Sequence, residues 1–324
     1  MFDKSFIAGL LAGVLLLPFG AGLARAETPT RILVGFPPGG TTDGVARLYS
    51  EGLSKALGRT VLVENKPGAG GAIAAAALKA APHDASTLML AAIVNISVYP
   101  STANPPAYDP FKDFVAVSMV GRYDLALAVS AASGIETVPA YVAWAKARHD
   151  KANFGSPGNG SLPHLFGAQF SQAAGLDLVH VPFQGATPSI VNLLGGQIGA
   201  VIQPVSDLVA QHDAGKVRIL ATTGSQRNAR LPGVPTFKEL GYPGMEGGGW
   251  IGFFAPAGTP EKATQAIWEA VQSIQATPAV VSRMQALGFD VTPMTRAEFA
   301  ELTRKDAARW GDVVRSGNIL VKTP

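Results

Sequence analysis

Two short stretches of this chain carry residue types able to hold an anion: Phe36-Pro37-Pro38-Gly39-Gly40-Thr41-Thr42-Asp43 and Gly155-Ser156-Pro157-Gly158-Asn159-Gly160-Ser161. Each follows an apolar run of strand length and precedes a helical repeat. Glycines and small hydroxyls in that position leave backbone N–H groups bare at a helix N-terminus, where a carboxylate or phosphate is favoured. Taken alone, the first stretch also fits a tight strand-to-helix turn with Thr42 or Asp43 as its cap. Its recurrence points instead to a ligand gripped between two lobes.

Other chemistries find less support. Neither stretch continues into the Gly-Lys-Ser/Thr of a nucleotide loop, and neither is a Gly-x-Gly-x-x-Gly turn. The absence of cysteine excludes disulfides, thiolate metal sites and a cysteine nucleophile. The five histidines, at 83, 149, 164, 180 and 212, form no His-x-x-x-His pair, so neither a metal nor a cofactor is expected. Ser161 and His164 are near in sequence and leave open a secreted α/β hydrolase or transferase using Ser161, but the Gly-x-Ser-x-Gly elbow is missing. His164 is expected on the helix surface or cleft wall, and Glu64 and Asp43 as a cap and a loop brace rather than an acid/base pair.

The elements that position these loops begin after a leader. Lys4, the apolar run over residues 6–17 and Ala24-Arg25-Ala26 read as a secretory signal cleaved after Ala26, which places the mature protein in the periplasm. No later run is long enough to span a bilayer, so a soluble mature chain is expected. The formal charge of +3 falls by one when Asp3, Lys4 and Arg25 leave, and no basic run argues for nucleic acid. The remaining chain suffices for two lobes with cores of their own.

Strands are expected at residues 32–36, 60–64 and 87–91, with helices between them, the order of a doubly wound parallel sheet. After a proline-rich interval at 100–110, strands at 116–120 and 125–129 flank an exposed turn at 121–124, the first crossing between lobes. A helix at 138–148 that starts after Thr137, with Pro139 tolerated in its first turn, a strand near Asn153, and a helix bearing Leu162, Leu165, Phe166 and Phe170 follow. Further strands are expected at 178–181, 200–203 and 217–221, with helices at 190–194 and 206–213. A glycine-dense connector at 244–249 leads to a strand at 250–254, then to a helix with Thr259 as N-cap and Pro260 at its first position. One strand with trailing helices is too little for a domain, so the C-terminal part returns to complete the first lobe.

These motifs, together with Val63-Glu64-Asn65-Lys66-Pro67-Gly68-Ala69-Gly70-Gly71, Val181-Pro182-Phe183-Gln184-Gly185 and Phe254-Ala255-Pro256-Ala257-Gly258-Thr259-Pro260, resemble in order the solute-binding receptors of tripartite tricarboxylate transporters, the Bug family. The resemblance implies an α/β, two-lobed periplasmic-binding-protein fold (type II, Venus flytrap), with a doubly wound sheet in each lobe and a two-crossing hinge. The division expected is a leader at 1–26, lobe 1 at 27–122 plus 235–324, and lobe 2 at 123–234. It further implies a non-catalytic monomer that captures a small organic acid or its amide and hands it to the membrane permease subunits of the transporter. A binding protein that reports to a sensor is an open alternative. Carried over by position, Pro38, Gly39, Gly40, Thr41, Thr42 and Asp43 would face Ser156, Gly158, Asn159, Gly160, Ser161 and His164. Gly185, Ala186 and Thr187 would form a third edge, and Asp207 would tune the far end. Gln184 stands where the family often has lysine, which leaves a second anionic group on the ligand less well served.

Overall fold

The computed structural model describes residues 28–103, 105–148 and 152–317, so the expected leader lies outside the described residues. The chain opens with β1 (Thr30–Val34), α1 (Thr41–Leu57), β2 (Val61–Asn65), α2 (Ala72–Lys79), β3 (Thr87–Ala92), α3 (Tyr99–Thr102), α4 (Pro110–Asp113) and β4 (Phe114–Tyr123). It crosses at Asp124 into β5 (Leu125–Ser130), α5 (Val138–Ala147), β6 (Asn153–Ser156), α6 (Leu162–Ala173), β7 (Val179–Pro182), α7 (Ala186–Leu194), β8 (Ala200–Pro204), α8 (Val205–Asp213) and β9 (Val217–Thr222). It then returns through β10 (Gly249–Pro256), α9 (Glu261–Gln275), α10 (Pro278–Ala286) and α11 (Arg296–Ser316).

The two sheets have the same plan. Sheet one runs β2-β1-β3-β10-β4 and sheet two β7-β6-β8-β5-β9. In each, the three strands at one side are parallel, and the fourth, contributed by the chain after it has crossed, is antiparallel to both neighbours. The loops after β1 and β6 are therefore equivalent positions, at the carboxyl ends of parallel strands where open α/β sheets place ligands. That equivalence is the physical origin of the two similar glycine stretches.

The three strands expected to form a parallel sheet, β1, β2 and β3, are parallel, and β10 and β4 extend that sheet with β10 antiparallel to both of its neighbours. Strands buried on both faces, as β3 and β10 are throughout, carry the same apolar pattern whichever way they run. The expected turn at 121–124 is corrected, because Gly121, Arg122 and Tyr123 pair with Ile251, Trp250 and Gly249 inside β4. Gly121 is there for packing: a Cβ would stand 2.8 Å from Met284 Cε. Thr259 is not the cap of α9, since its hydroxyl donates to Pro256 O at 2.7 Å and Pro260 takes the N-cap position.

The two crossings lie side by side. A Cβ on Gly248 would collide with the Tyr123 carbonyl, Gly247 N–H donates to Thr223 O at 2.8 Å, and Leu125 N–H donates to the Thr223 hydroxyl at 3.0 Å. Behind them, α11 grips α6. The Arg309 guanidinium donates to Gln169 Oε1 at 3.0 Å, to Gly244 O at 3.0 Å and to Glu246 O, and lies over the rings of Phe166 and Trp310. Phe166 and Trp310 themselves meet edge to face at 4.8 Å. Among the described residues, no helix is long and apolar enough to cross a membrane.

Candidate functional site

The loop after β1 is shaped by what its neighbours exclude. Gly35 has room for no side chain, because a Cβ would stand 2.6 Å from Gly71 Cα, and Gly39 has a φ of +80°. Helix α1 then opens on Gly40 with no side-chain cap. Asp43, 3% exposed, turns its carboxylate back into the loop. It accepts from Gly39 N–H at 2.9 Å, from Arg47 at 2.9 and 3.0 Å, and from Asn65 Nδ2 at 2.9 Å. The Arg47 bonds above all hold its pKa down at about 2. Asp43 therefore braces the loop, while Glu64 pairs with Lys66 and Arg31 and caps no helix among the described residues. Among the described residues, no bond takes the N–H groups of Thr41, Thr42 or Asp43. Pro38, Gly39, Gly40 and Thr41 are exposed, with Thr42 half-buried.

The loop after β6 is braced by imidazoles. Gly155 clears space for Ile198, whose Cδ1 would lie 2.6 Å from a Cβ. Ser156 is fully buried: its hydroxyl donates to Gly158 O at 3.0 Å and meets His180 Nε2 at 2.7 Å. With that hydroxyl proton directed at the carbonyl, the His180 proton is assigned to Nε2. Ser161 caps α6, accepting from His164 N–H at 3.3 Å and donating to Gly158 O at 2.7 Å. His164 Nδ1 accepts from Gly160 N–H at 3.1 Å, and its ring stacks on His180 at 3.6 Å. Burial lowers the pKa of His164 to about 4, and burial together with the neighbouring ring lowers that of His180 to about 3. Both rings are neutral at physiological pH.

This corrects the expectation of His164 on a surface or cleft wall; it is buried beneath the loop. Its acceptor nitrogen is bound to Gly160, and Ser161 is a helix cap, so the two do not form a base–nucleophile pair. Ser156 likewise faces inward. Among the described residues, the N–H groups of Asn159 and Leu162 have no partner and sit at the amino end of α6. The loop leading into α7 is tied on by Phe183 N–H to Ser156 O and Gly185 N–H to Pro157 O, both at 3.0 Å. Gly185 and Ala186 are half-buried and Thr187 exposed. Asp207 lies in the first turn of α8, where desolvation raises its pKa and its charge helps to raise that of Tyr123.

A cavity of about 430 Å³ joins the two halves. One wall is Phe36, Ala69, Gly70, Val94, Val98, Tyr99, Thr102 and Ala103; the other is Pro157, Asn159, Gly160 and Ser161. Of the residues expected at the site, Asn159, Gly160 and Ser161 line this cavity, and residues 38–43, Ser156, Gly158, His164, Gly185, Ala186, Thr187 and Asp207 do not. Sequence reasoning missed the wall from Val94 to Ala103. It is built on a π-helical turn, Val94–Val98, whose Asn95 donates to Gly70 O at 2.6 Å and accepts from Ala92 N–H at 3.0 Å. The available signal was Asn95 itself, a polar residue within an apolar run and next to a proline-rich interval; such widened turns recur at functional sites.

Comparison with known proteins agrees with this geometry. A family model described as the tripartite tricarboxylate transporter family receptor matches residues 45–319. Protein BugT of Bordetella pertussis is 32% identical over 97% of this chain and 98% of its own. The structure of MatC from Rhodopseudomonas palustris, with bound malate, is 29% identical with a TM-score of 0.75, over 89% of this chain and 99% of that one. Another R. palustris structure, with adipate, is 27% identical with a TM-score of 0.78, over 91% and 99%. With the matched region spanning most of both sheets and the glycine stretch of the second, the chain belongs to the tripartite tricarboxylate transporter receptor family.

Proposed function

We propose that this protein is a periplasmic receptor whose lobes close on a small carboxylate and release it to the membrane permease subunits of a tripartite tricarboxylate transporter. The observation that carries this reading is the cavity between the halves, walled on one side by Phe36 and the π-helical turn and on the other by the loop ahead of α6. Binding at a shared cavity favours the closed arrangement, because only there do both walls touch one ligand. The carboxylate would meet the N–H groups of Asn159 and Leu162, with those of Thr41 and Thr42 completing the grip on closure. Neutral donors suit a receptor that must let go, since a buried arginine fork would hold its anion strongly. The malate and adipate bound to relatives support an organic acid as the cargo.

Lobe 1 would then comprise 27–122 and the segment from about residue 247 onward, with lobe 2 between them, in a monomer freed of residues 1–26; the boundary expected at 234/235 moves later because Thr236 bridges to Thr222, Phe237 packs on Phe170 and Gln169 donates to Gly244 O. The protein would be a receptor without turnover, because Ser161 caps a helix and His164 serves Gly160. Calorimetry against a panel of organic acids, with product analysis after overnight incubation, tests the reading. One-to-one binding without conversion is the expected result. Ester or amide turnover that vanishes in Ser161→Ala refutes it.

A further inference from the structure

We infer that the cargo is a monocarboxylate bearing an uncharged hydrocarbon tail, alkyl or aryl, and that the tail fills the cavity between the lobes. The inference rests on the receptor reading above and narrows its substrate class. No lysine, arginine, histidine, aspartate or glutamate lines the cavity among the described residues. Its wall in the first half is Phe36, Ala69, Gly70, Val94, Val98, Tyr99, Thr102 and Ala103, and the two side-chain hydroxyls there are engaged within the protein. The Tyr99 hydroxyl accepts from Ala107 N–H at 2.7 Å while its ring lies flat on Tyr108 at 4.2 Å. The Thr102 hydroxyl points back at the carbonyls of Val98 and Tyr99, each at 3.4 Å.

The polar end of the cavity is the amino end of α6, a helix of 12 residues. A single carboxylate placed there has the positive end of the helix and backbone N–H groups to receive it. A second carboxylate, carried by the tail into the opposite wall, would be stripped of water and offered no cation. The volume of about 430 Å³ falls within the range of pockets for small organic molecules. The site thus has one anionic position and one apolar position, in that order from α6 to the π-helical turn.

Hexanoate and adipate form the decisive pair, since they share a six-carbon chain and differ only at the far end. Titration of the full mature chain is expected to give hexanoate a Kd lower than that of adipate by about tenfold or more, with a negative heat-capacity change from tail burial. Ala103→Arg, at a half-buried position on the apolar wall, is expected to reverse the order by supplying a cation for the second carboxylate. Adipate binding as tightly as hexanoate to the unaltered chain overturns the inference and leaves the receptor standing. Failure to bind either acid, or any other carboxylate, by protein with a cooperative melt overturns the receptor reading and the inference together.

Discussion

Acidification to about pH 5 is expected to weaken the fold through the stacked imidazoles of His164 and His180, a perturbation that requires no mutation. Both rings have folded pKa values below the ordinary 6.5, at about 4 and about 3. The unfolded chain therefore takes up protons first, and native stability declines as the pH falls through 6.5 towards the folded values. At pH 5 both rings would be charged in the unfolded chain and neutral in the native one, which costs about 2 kcal/mol per ring and roughly 4 kcal/mol together. For a chain of this size the melting temperature should fall by roughly 6 °C between pH 7.5 and 5. Asp124 and Asp306, both partly buried, are shifted upward by desolvation, so acid relieves them and acts in the opposite direction. NMR titration of the imidazole resonances isolates the histidine contribution from theirs. Two rings still neutral at pH 5 are expected, and either one titrating near 6.5 refutes the argument. Protonation of His164 at Nδ1 would also turn the acceptor of the Gly160 N–H into a donor, so cargo affinity should fall at the same low pH at which the ring titrates.

Gly40→Val and Gly158→Val are each expected to abolish cargo binding while melting close to the unaltered chain. Neither position has a positive φ, and the nearest atoms to an added Cβ are Pro37 O at 3.4 Å and Phe183 O at 3.9 Å, so the added side chain leaves the core undisturbed; neither residue lines the cavity, and the loss follows from crowding the adjacent loop N–H groups as the lobes close. Titration calorimetry beside a thermal melt checks both. Asn95→Leu should lower stability by about 1–3 kcal/mol, since it orphans Gly70 O and Ala92 N–H at once, and should weaken cargo binding through the released Gly70 loop; denaturant unfolding measures the first effect and calorimetry the second.

The order of elements was legible because helical and strand periods are local properties of the chain. Helix α5 starts after Thr137 as expected, with the Thr137 side chain accepting from Ala140 N–H, and β6 begins at Asn153. The parallel course of β1, β2 and β3 was legible from the helices between them, but that of β10 was not, because it is apolar on both faces and its antiparallel course is set by the crossing that brings it back. At the site, the glycine stretches were visible from composition and spacing. The inward turn of Ser156 and the burial of His164 were not, since both depend on His180, a partner brought by a neighbouring strand. The apolar wall escaped notice for the same reason: a π-helical turn leaves no periodic signature in five residues, and Asn95 acquires its meaning only when Gly70 is folded against it.

The position of β10 has a consequence for the order of assembly. This strand occupies the space between β3 and β4, yet it is made more than a hundred residues after them. Until it arrives, β3 and β4 each expose an unpaired edge and the first lobe has no continuous sheet. The second lobe suffers no such delay, since its five strands all lie within the 125–222 interval. A nascent or translocating chain can therefore complete its middle portion while its first hundred residues wait for their last quarter, and late insertion of one strand joins both ends of the polypeptide into a single body.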